Sequence, residues 1–256
     1  MEGLFPEHLP AVSPSDQQEA DMALIPAGDF IMGTGPETGK AGEDYGVDEE
    51  PRHKVYLKAF YIDRYEVTIR QYKEYLSATG RTWVGDSDFP DQYPLEIYFN
   101  PAERDKYPVN YVSWNDANAF CQWKGERLPT EEEWEKAARG TDGRTFSWGN
   151  LYDPIKANTE DADIGGLAPA GSFPQDRSPF GLYDVSGNLL EWTSSHYLPY
   201  EGSTLKDGRW TTNAYVLKGG SFLLPGKLFA RPARRSIAYP GYAHRMHGFR
   251  CAKDVP

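Results

Sequence analysis

Two short motifs, Lys218-Gly219-Gly220-Ser221 and Gly248-Phe249-Arg250-Cys251, enclose the most informative segment of this chain. Between them run Phe222-Leu223-Leu224-Pro225 and Arg231-Pro232-Ala233-Arg234-Arg235. Adjacent glycines let the backbone take φ > 0 or pass close to a neighbour. The aromatic and aliphatic residues that follow them are unusually apolar for a region rich in Gly and Pro. Pro26-Ala27-Gly28, Arg127-Leu128-Pro129-Thr130-Glu131 and Gly187-Asn188 lead up to this segment.

Working outward, 256 residues can bury a proper core as one large domain or two small ones. A hydrophobic share of 39% with 25% charged is ordinary for a globular protein, while the 14% aromatic share is high. With 25 Gly and 20 Pro there is little room for long helices. A formal net charge of −11 argues against a general phosphate-backbone binder, which needs a basic face, so no nucleic-acid partner is expected. No apolar run reaches about 18 residues, so no transmembrane helix is expected. Met1 to Pro6 lacks the basic start and apolar core of a secretory signal. The expectation is a chain that is cytoplasmic by default or exported with a partner, reaching a membrane complex only through that partner. Cys121 and Cys251 are either two free core thiols or one disulfide, which would contribute roughly 4–5 kcal/mol by closing a long loop. Spacing does not choose between them.

Residues 1–20 read as an N-terminal tail or docking arm, and 21–256 as a single domain. Met22 to Pro26 and Phe30 to Gly33 predict two short strands around the Ala27-Gly28-Asp29 turn, and Val55 to Ile62 predicts one continuous strand. The acidic, Gly-rich loop from Gly35 to Glu50 lacks the spacing of a phosphate-binding loop. A first helix is capped by Thr68 with Gln71 at the capping-box position, stops at Gly80 and places Ile69, Tyr72 and Leu76 on one face. A second starts after Ser113 and runs through Ala117, Phe120 and Cys121 to Gly125. The third has Thr130 as cap, Glu133 at the box position, Trp134 and Ala137-Ala138 inside, and Gly140 at its end. Beyond it, Pro154, Pro169, Pro174 and Pro179 exclude a long helix. Three early helices followed by a turn-rich β half point to an α+β fold.

Taken in order, these motifs resemble one family. They are Leu24 to Gly28 with Met32-Gly33-Thr34, Tyr65-Glu66-Val67-Thr68, Pro108-Val109 with Val112 to Ala117, Arg127 to Glu131 with Glu133-Trp134-Glu135, Ser147-Trp148-Gly149-Asn150, Gly187-Asn188 with Glu191-Trp192, and the two enclosing motifs. Over about residues 22–253 the chain resembles the formylglycine-generating enzyme, or sulfatase-modifying factor, domain. The resemblance implies a single domain with a variant C-type-lectin fold, rich in turns and poor in regular structure.

Active members of that family oxidise a substrate cysteine with oxygen, using two copper-binding cysteines. Their positions correspond here to Leu224 and Phe229, and no cysteine lies between Cys121 and Cys251. Thiolates favour Cu(I), and Leu and Phe cannot replace them, so copper and formylglycine-generating activity are not expected. Cys121 and Cys251 match a pair that is disulfide-bonded in secreted members, which implies that they are neighbours in space. The resemblance also implies a structural Ca²⁺ held by Asp184, the Gly187 and Leu189 carbonyls and Glu191, hard oxygen donors that suit this ion. A second Ca²⁺ site would use Asn158, the Thr159 carbonyl and a position near Asp161 to Ile164.

Three functions fit. The first is a non-catalytic binding or accessory module for a protein or peptide-like ligand, whose surface includes Ser221, Leu224, Phe229, Tyr239, Tyr242, His244 and His247. Local core packing competes for about half of these side chains. The second is a metal-dependent oxidative tailoring enzyme, with His244 and His247 joined by His196 or Asp184; exposed loop histidines are the default alternative. The third is the variable ligand-binding product of a diversity-generating retroelement, with Phe222 to His247 as the variable region.

Overall fold

The computed structural model describes residues 21–35, 46–83, 99, 101–206 and 208–256. The expected N-terminal arm and most of the acidic loop after Gly35 lie outside the described residues. Three helices form where the capping residues place them: α1 (Ile69–Thr79), α2 (Trp114–Trp123) and α3 (Glu131–Arg139). Each begins with a complete capping box, Thr68 with Gln71, Ser113 with Asp116 and Thr130 with Glu133. In such a box the cap side chain and the N3 side chain each satisfy a backbone N–H that the helix leaves unpaired. Gly80 ends α1 in the left-handed region at φ 67°. The buried face of α1 carries Ile69, Tyr72 and Tyr75, with Leu76 packed at its edge.

The strand expected over Val55 to Ile62 is divided. β3 (His53–Leu57) pairs antiparallel with β2 (Gly28–Met32), whereas β4 (Phe60–Asp63) pairs with β1 (Met22–Ile25) and β9 (Ala252–Asp254). Its two halves serve different sheets: β3 alternates between half-buried and exposed, while Phe60, Ile62 and Asp63 of β4 are buried. The two N-terminal strands therefore pair with β4 and β3 rather than with each other. A four-stranded sheet of order β7-β6-β5-β8 joins β5 (Leu190–Tyr197), β6 (Thr211–Lys218), β7 (Ser236–Ala238) and β8 (His247–Gly248), with β8 parallel to β5.

Two apolar cores lie between these layers. One packs Tyr72, Phe120, Trp192, Leu217 and Phe249 between α1, α2 and the four-stranded sheet; the other packs Ile25, Phe60, Ile62, Trp134, Ala137 and Val185 between α3 and the three-stranded sheet. Cys121 on α2 and Cys251 before β9 close a disulfide within the first core, at a Cα–Cα distance of 5.6 Å. The choice that spacing left open thus falls on the bonded pair.

Candidate functional site

The enclosing motifs meet on either side of β5, where Glu191 stands opposite Lys218 on one flank and beside Gly248 on the other. Gly219 and Gly220 have φ of 104° and 78°, and a Cβ on Gly219 would lie 3.0 Å from the Trp134 ring. Only glycine allows this chain reversal against α3. The cations around it are buried and paired. Lys218 donates to Glu135 (2.9 Å) and Glu131 (3.3 Å), Arg235 to Glu131 (3.0 Å), and Arg231 to both oxygens of Glu49 (2.7 and 2.8 Å). Burial pushes the Glu135 carboxyl up, but Lys218 and Arg139 more than offset it and hold it below the usual range. Arg231-Pro232-Ala233-Arg234-Arg235 is therefore a clasp holding the loop before β3 and α3 to the sheet. Its burial was hidden by the ordinary exposure of Arg in sequence statistics.

Leu224 and Phe229, which the resemblance matches to the family's cysteine positions, lie on either side of the start of the short helical turn Gly226–Phe229. Leu224 N–H donates to the Ser221 carbonyl (3.0 Å), and its half-buried side chain packs against the first core. Phe229 is half-buried with the Arg234 guanidinium 5.0 Å above its ring. Both cysteines are spent in the disulfide. No thiolate is thus available here.

The expected binding surface divides. Ser221 and His247 are buried at 0% and 5% exposure, which corrects their placement on it: Ser221 starts the turn to Leu224, and His247 pairs with β5 and packs edge-on against Trp192. Tyr242 is half-buried against the first core and stacks with His244, while Tyr239 is 66% exposed. His247 is not an exposed loop histidine either; burial, with His244 beside it, pushes its imidazole down to about 3. His196 lies apart from this pair in contact with Tyr215, and Asp184 is bonded to Gly171. Among the described residues, the trio of His, Cys, Asp or Glu side chains with ligating atoms within 4.8 Å of one another is Asp63, Glu126 and Cys251. Its sulfur is in the disulfide.

The residues expected to hold calcium surround a buried carboxylate cluster. Arg250 places Nε 2.7 Å from Glu191 Oε2 and Nη2 2.6 Å from Oε1, and Trp134 Nε1 adds a bond of 2.8 Å to Oε2. Asp184, at φ 56°, accepts from Gly171 N–H at 2.5 Å. Burial, with Asp176 and Glu191 nearby, pushes its carboxyl up to about 7. Burial raises Asp176 to about 6 despite bonds from Ser147 and Ser186. Glu66, raised well above the usual range by burial and by Asp184 and Glu191, was not among the expected residues. Asn188 links the two expected ion sites, donating to Glu66 Oε2 (2.8 Å) and accepting from Asn158 Nδ2 (3.0 Å). Glu66 Oε1 and Asn158 Oδ1 are buried with no hydrogen-bond partner. Asp161, near the second expected site, instead bonds the Tyr152 hydroxyl and the Gly226 N–H.

Beside the turn after Ser221 lies a cavity of about 270 Å³ lined by Arg104, Asn110, Tyr111, Gly165, Gly166, Leu167, Phe222 and Arg245. Asn110 Nδ2 donates to the Arg245 carbonyl at 2.9 Å, and Tyr111 sits at φ 54° with its N–H on the His244 carbonyl. Of its lining, Phe222 and Arg245 belong to the segment singled out in the sequence; the other residues carry no motif that marks them as a site.

The sulfatase-modifying factor enzyme 1-like domain profile matches residues 9–255. The chain is 33% identical to the inactive C-alpha-formylglycine-generating enzyme 2 of Mus musculus, over 93% of this chain and 87% of that one. It is 31% identical to the formylglycine-generating enzyme of Bos taurus, over 97% and 78% respectively. Among solved structures, PvdO from Pseudomonas aeruginosa superposes with a TM-score of 0.69 at 28% identity, over 91% of this chain and 94% of that one. Treponema denticola variable protein 1 superposes at 0.70 and 21% identity, over 91% and 95%, a likeness of fold. The fold is the variant C-type-lectin fold. This chain belongs to the sulfatase-modifying factor family, as a member without the cysteine pair.

Proposed function

We propose that the chain is a non-catalytic binding or accessory module that keeps the family fold and has lost its redox site. The observation that carries this reading is that both cysteines are in the disulfide, while Leu224 and Phe229, which the resemblance matches to the thiolate positions, are half-buried hydrophobic side chains. Soft Cu(I) has no ligand there. The binding surface is the exposed part of the Phe222–His247 segment, with Tyr239 and Arg245 exposed, His244 half-buried against Tyr242, and Phe229 beneath Arg234. Its partner is a protein or a peptide-like ligand.

Peptide display on the folded protein tests this. Enriched peptides should lose binding to Tyr239→Ala and Phe229→Asp and keep it to Tyr56→Ala, in β3 outside the segment. Equal binding to all three variants places the surface elsewhere. Copper-dependent oxygen consumption with a cysteine-containing peptide would overturn the non-catalytic reading.

A structural Ca²⁺ belongs to the same reading. Glu66, Asp176, Asp184 and Glu191 are buried around the Arg250 guanidinium, so negative charge exceeds positive in a dry interior. A divalent cation held by Asp184, the Gly187 and Leu189 carbonyls and the free lone pair of Glu191 Oε1 would neutralise the excess. The unpartnered Asn158 Oδ1 is the donor left for a second ion with the Thr159 carbonyl. Both ions would order a segment short of regular structure.

A further inference from the structure

We infer that the cavity lined by Arg104, Arg245, Asn110 and Phe222 is a recognition pocket for a carboxylate flanked by an apolar group, as on an acidic or C-terminal residue of a peptide or on a free organic acid. The inference rests on the binding reading above and names the chemistry its ligand carries.

Charge is the first ground. In a chain of net charge −11, Arg127, Arg139, Arg231, Arg235 and Arg250 are all in ion pairs with carboxylates. Among the described residues, neither Arg104 nor Arg245 has a carboxylate oxygen within 4.0 Å, although both line the same concavity. Arg104 is half-buried, its guanidinium 4.8 Å from the centre of the Tyr107 ring, a contact that leaves its charge unneutralised. Arg245 is exposed on the rim. A guanidinium presents donors in a fork that matches a carboxylate, and in a concave, partly desolvated site such a bond is stronger than in water.

The second ground is shape and rigidity. The walls come from residues 104–111, 165–167, 222 and 245, held together by the Asn110–Arg245 bond and by the Tyr111 N–H on the His244 carbonyl. Tyr111 is held at φ 54°, a conformation that a bulky non-glycine residue keeps only when its surroundings impose it. Phe222 and Leu167 supply the apolar wall, and nothing lies within 4 Å of a Cβ built on Gly165 or Gly166. A volume of about 270 Å³ is near the lower end for ligand pockets and holds one residue or a small acid rather than a long peptide.

The test is titration of the intact, oxidised protein with N-acetyl-Phe-Leu carrying a free carboxylate, its C-terminal amide, N-acetyl-Leu-Asp-Leu amide and 3-phenylpropionate. Binding is read by side-chain NMR of the arginine Nε–H groups. The free-carboxylate dipeptide should shift the Arg104 and Arg245 signals and bind at least about tenfold more tightly than its amide. Arg104→Ala and Arg245→Ala should each weaken it about tenfold with unchanged thermal unfolding, and added salt should weaken it further. Tighter binding of the dipeptide or of the internal Asp peptide than of phenylpropionate identifies a peptide source; the reverse order identifies a free acid. Equal binding of acid and amide, no binding of any probe, or full affinity in both variants would overturn the pocket. The binding reading would survive that result if the Tyr239→Ala variant still lost displayed peptides.

Discussion

Replacing Arg250 should be among the most damaging single changes in this protein. Its guanidinium is fully buried, and its N–H donors are used on Glu191 Oε2 (2.7 Å) and Oε1 (2.6 Å) and on the carbonyls of Asp63 (3.1 Å), Arg64 (3.0 Å) and Tyr183 (2.9 Å). It therefore ties the end of β4, the loop before Asp184 and β5 at one point. Arg250→Met leaves Glu191 as a buried charge whose remaining protein donor is Trp134 Nε1 and deprives the three carbonyls of this donor. Breaking a buried pair in this way costs about 3–5 kcal/mol. For a domain of this size that corresponds to a fall in Tm of roughly 6–20 °C. Arg250→Lys should cost most of the same amount, because an ammonium has three donors and cannot span two carboxylate oxygens and three carbonyls. Urea unfolding followed by tryptophan fluorescence, with the disulfide intact, reads both losses. An Arg250→Lys variant within about 1 kcal/mol of the parent would refute the claim that fork geometry, rather than charge, holds this junction.

Four further outcomes follow from the same contacts. Reducing the Cys121–Cys251 disulfide, which spans 130 residues, should cost about 2–5 kcal/mol, read as a lower urea midpoint in dithiothreitol. Thr130→Ala removes one side of the α3 capping box and should cost about 1 kcal/mol in the same assay. Gly187→Ala would put a Cβ 2.5 Å from the Asn158 carbonyl oxygen and should prevent native folding, whereas Gly166→Ala meets nothing within 4 Å and should be near neutral. The pH dependence has a definite sign: Asp184 and Asp176, raised to about 7 and about 6, contribute stability at low pH that is lost as pH rises through those values. In chelator, these groups should make Tm fall between about pH 4 and pH 7, and added Ca²⁺ should restore it by an amount that grows with pH; a calcium effect independent of pH would contradict ligation at Asp184.

The helices were legible because their ends are written locally. Thr68, Ser113 and Thr130 each stand three residues before a side chain that completes a capping box, and such pairs act within one turn whatever the tertiary context. The division of Val55 to Ile62 was not legible, since both halves have the same β-forming composition and only the choice of partner strands separates them. The family resemblance supplied what periodicity could not for the C-terminal half, and it directed attention to Leu224 and Phe229, which the fold holds half-buried around one short helical turn. It said nothing of which loop side chains face solvent: Ser221 and His247 turned inward because the turn and β8 needed them. The ionic clasp through Lys218, Arg231 and Arg235 was invisible because its carboxylates, Glu49, Glu131 and Glu135, come from distant parts of the chain. Glu66 and Asn188 were overlooked as members of the carboxylate cluster for the same reason, although both lie inside recognised motifs.

Elemental mass spectrometry of the purified protein, before and after a mild chelator wash, bears most directly on the proposal of a binding module with structural calcium and no redox metal. The expected result is about one or two calcium ions per chain, with copper and iron far below one. About one copper or iron per chain that survives the wash and disappears in a His244→Ala/His247→Ala variant would contradict it and favour the metal-dependent reading, to be followed by an oxygen-consumption assay.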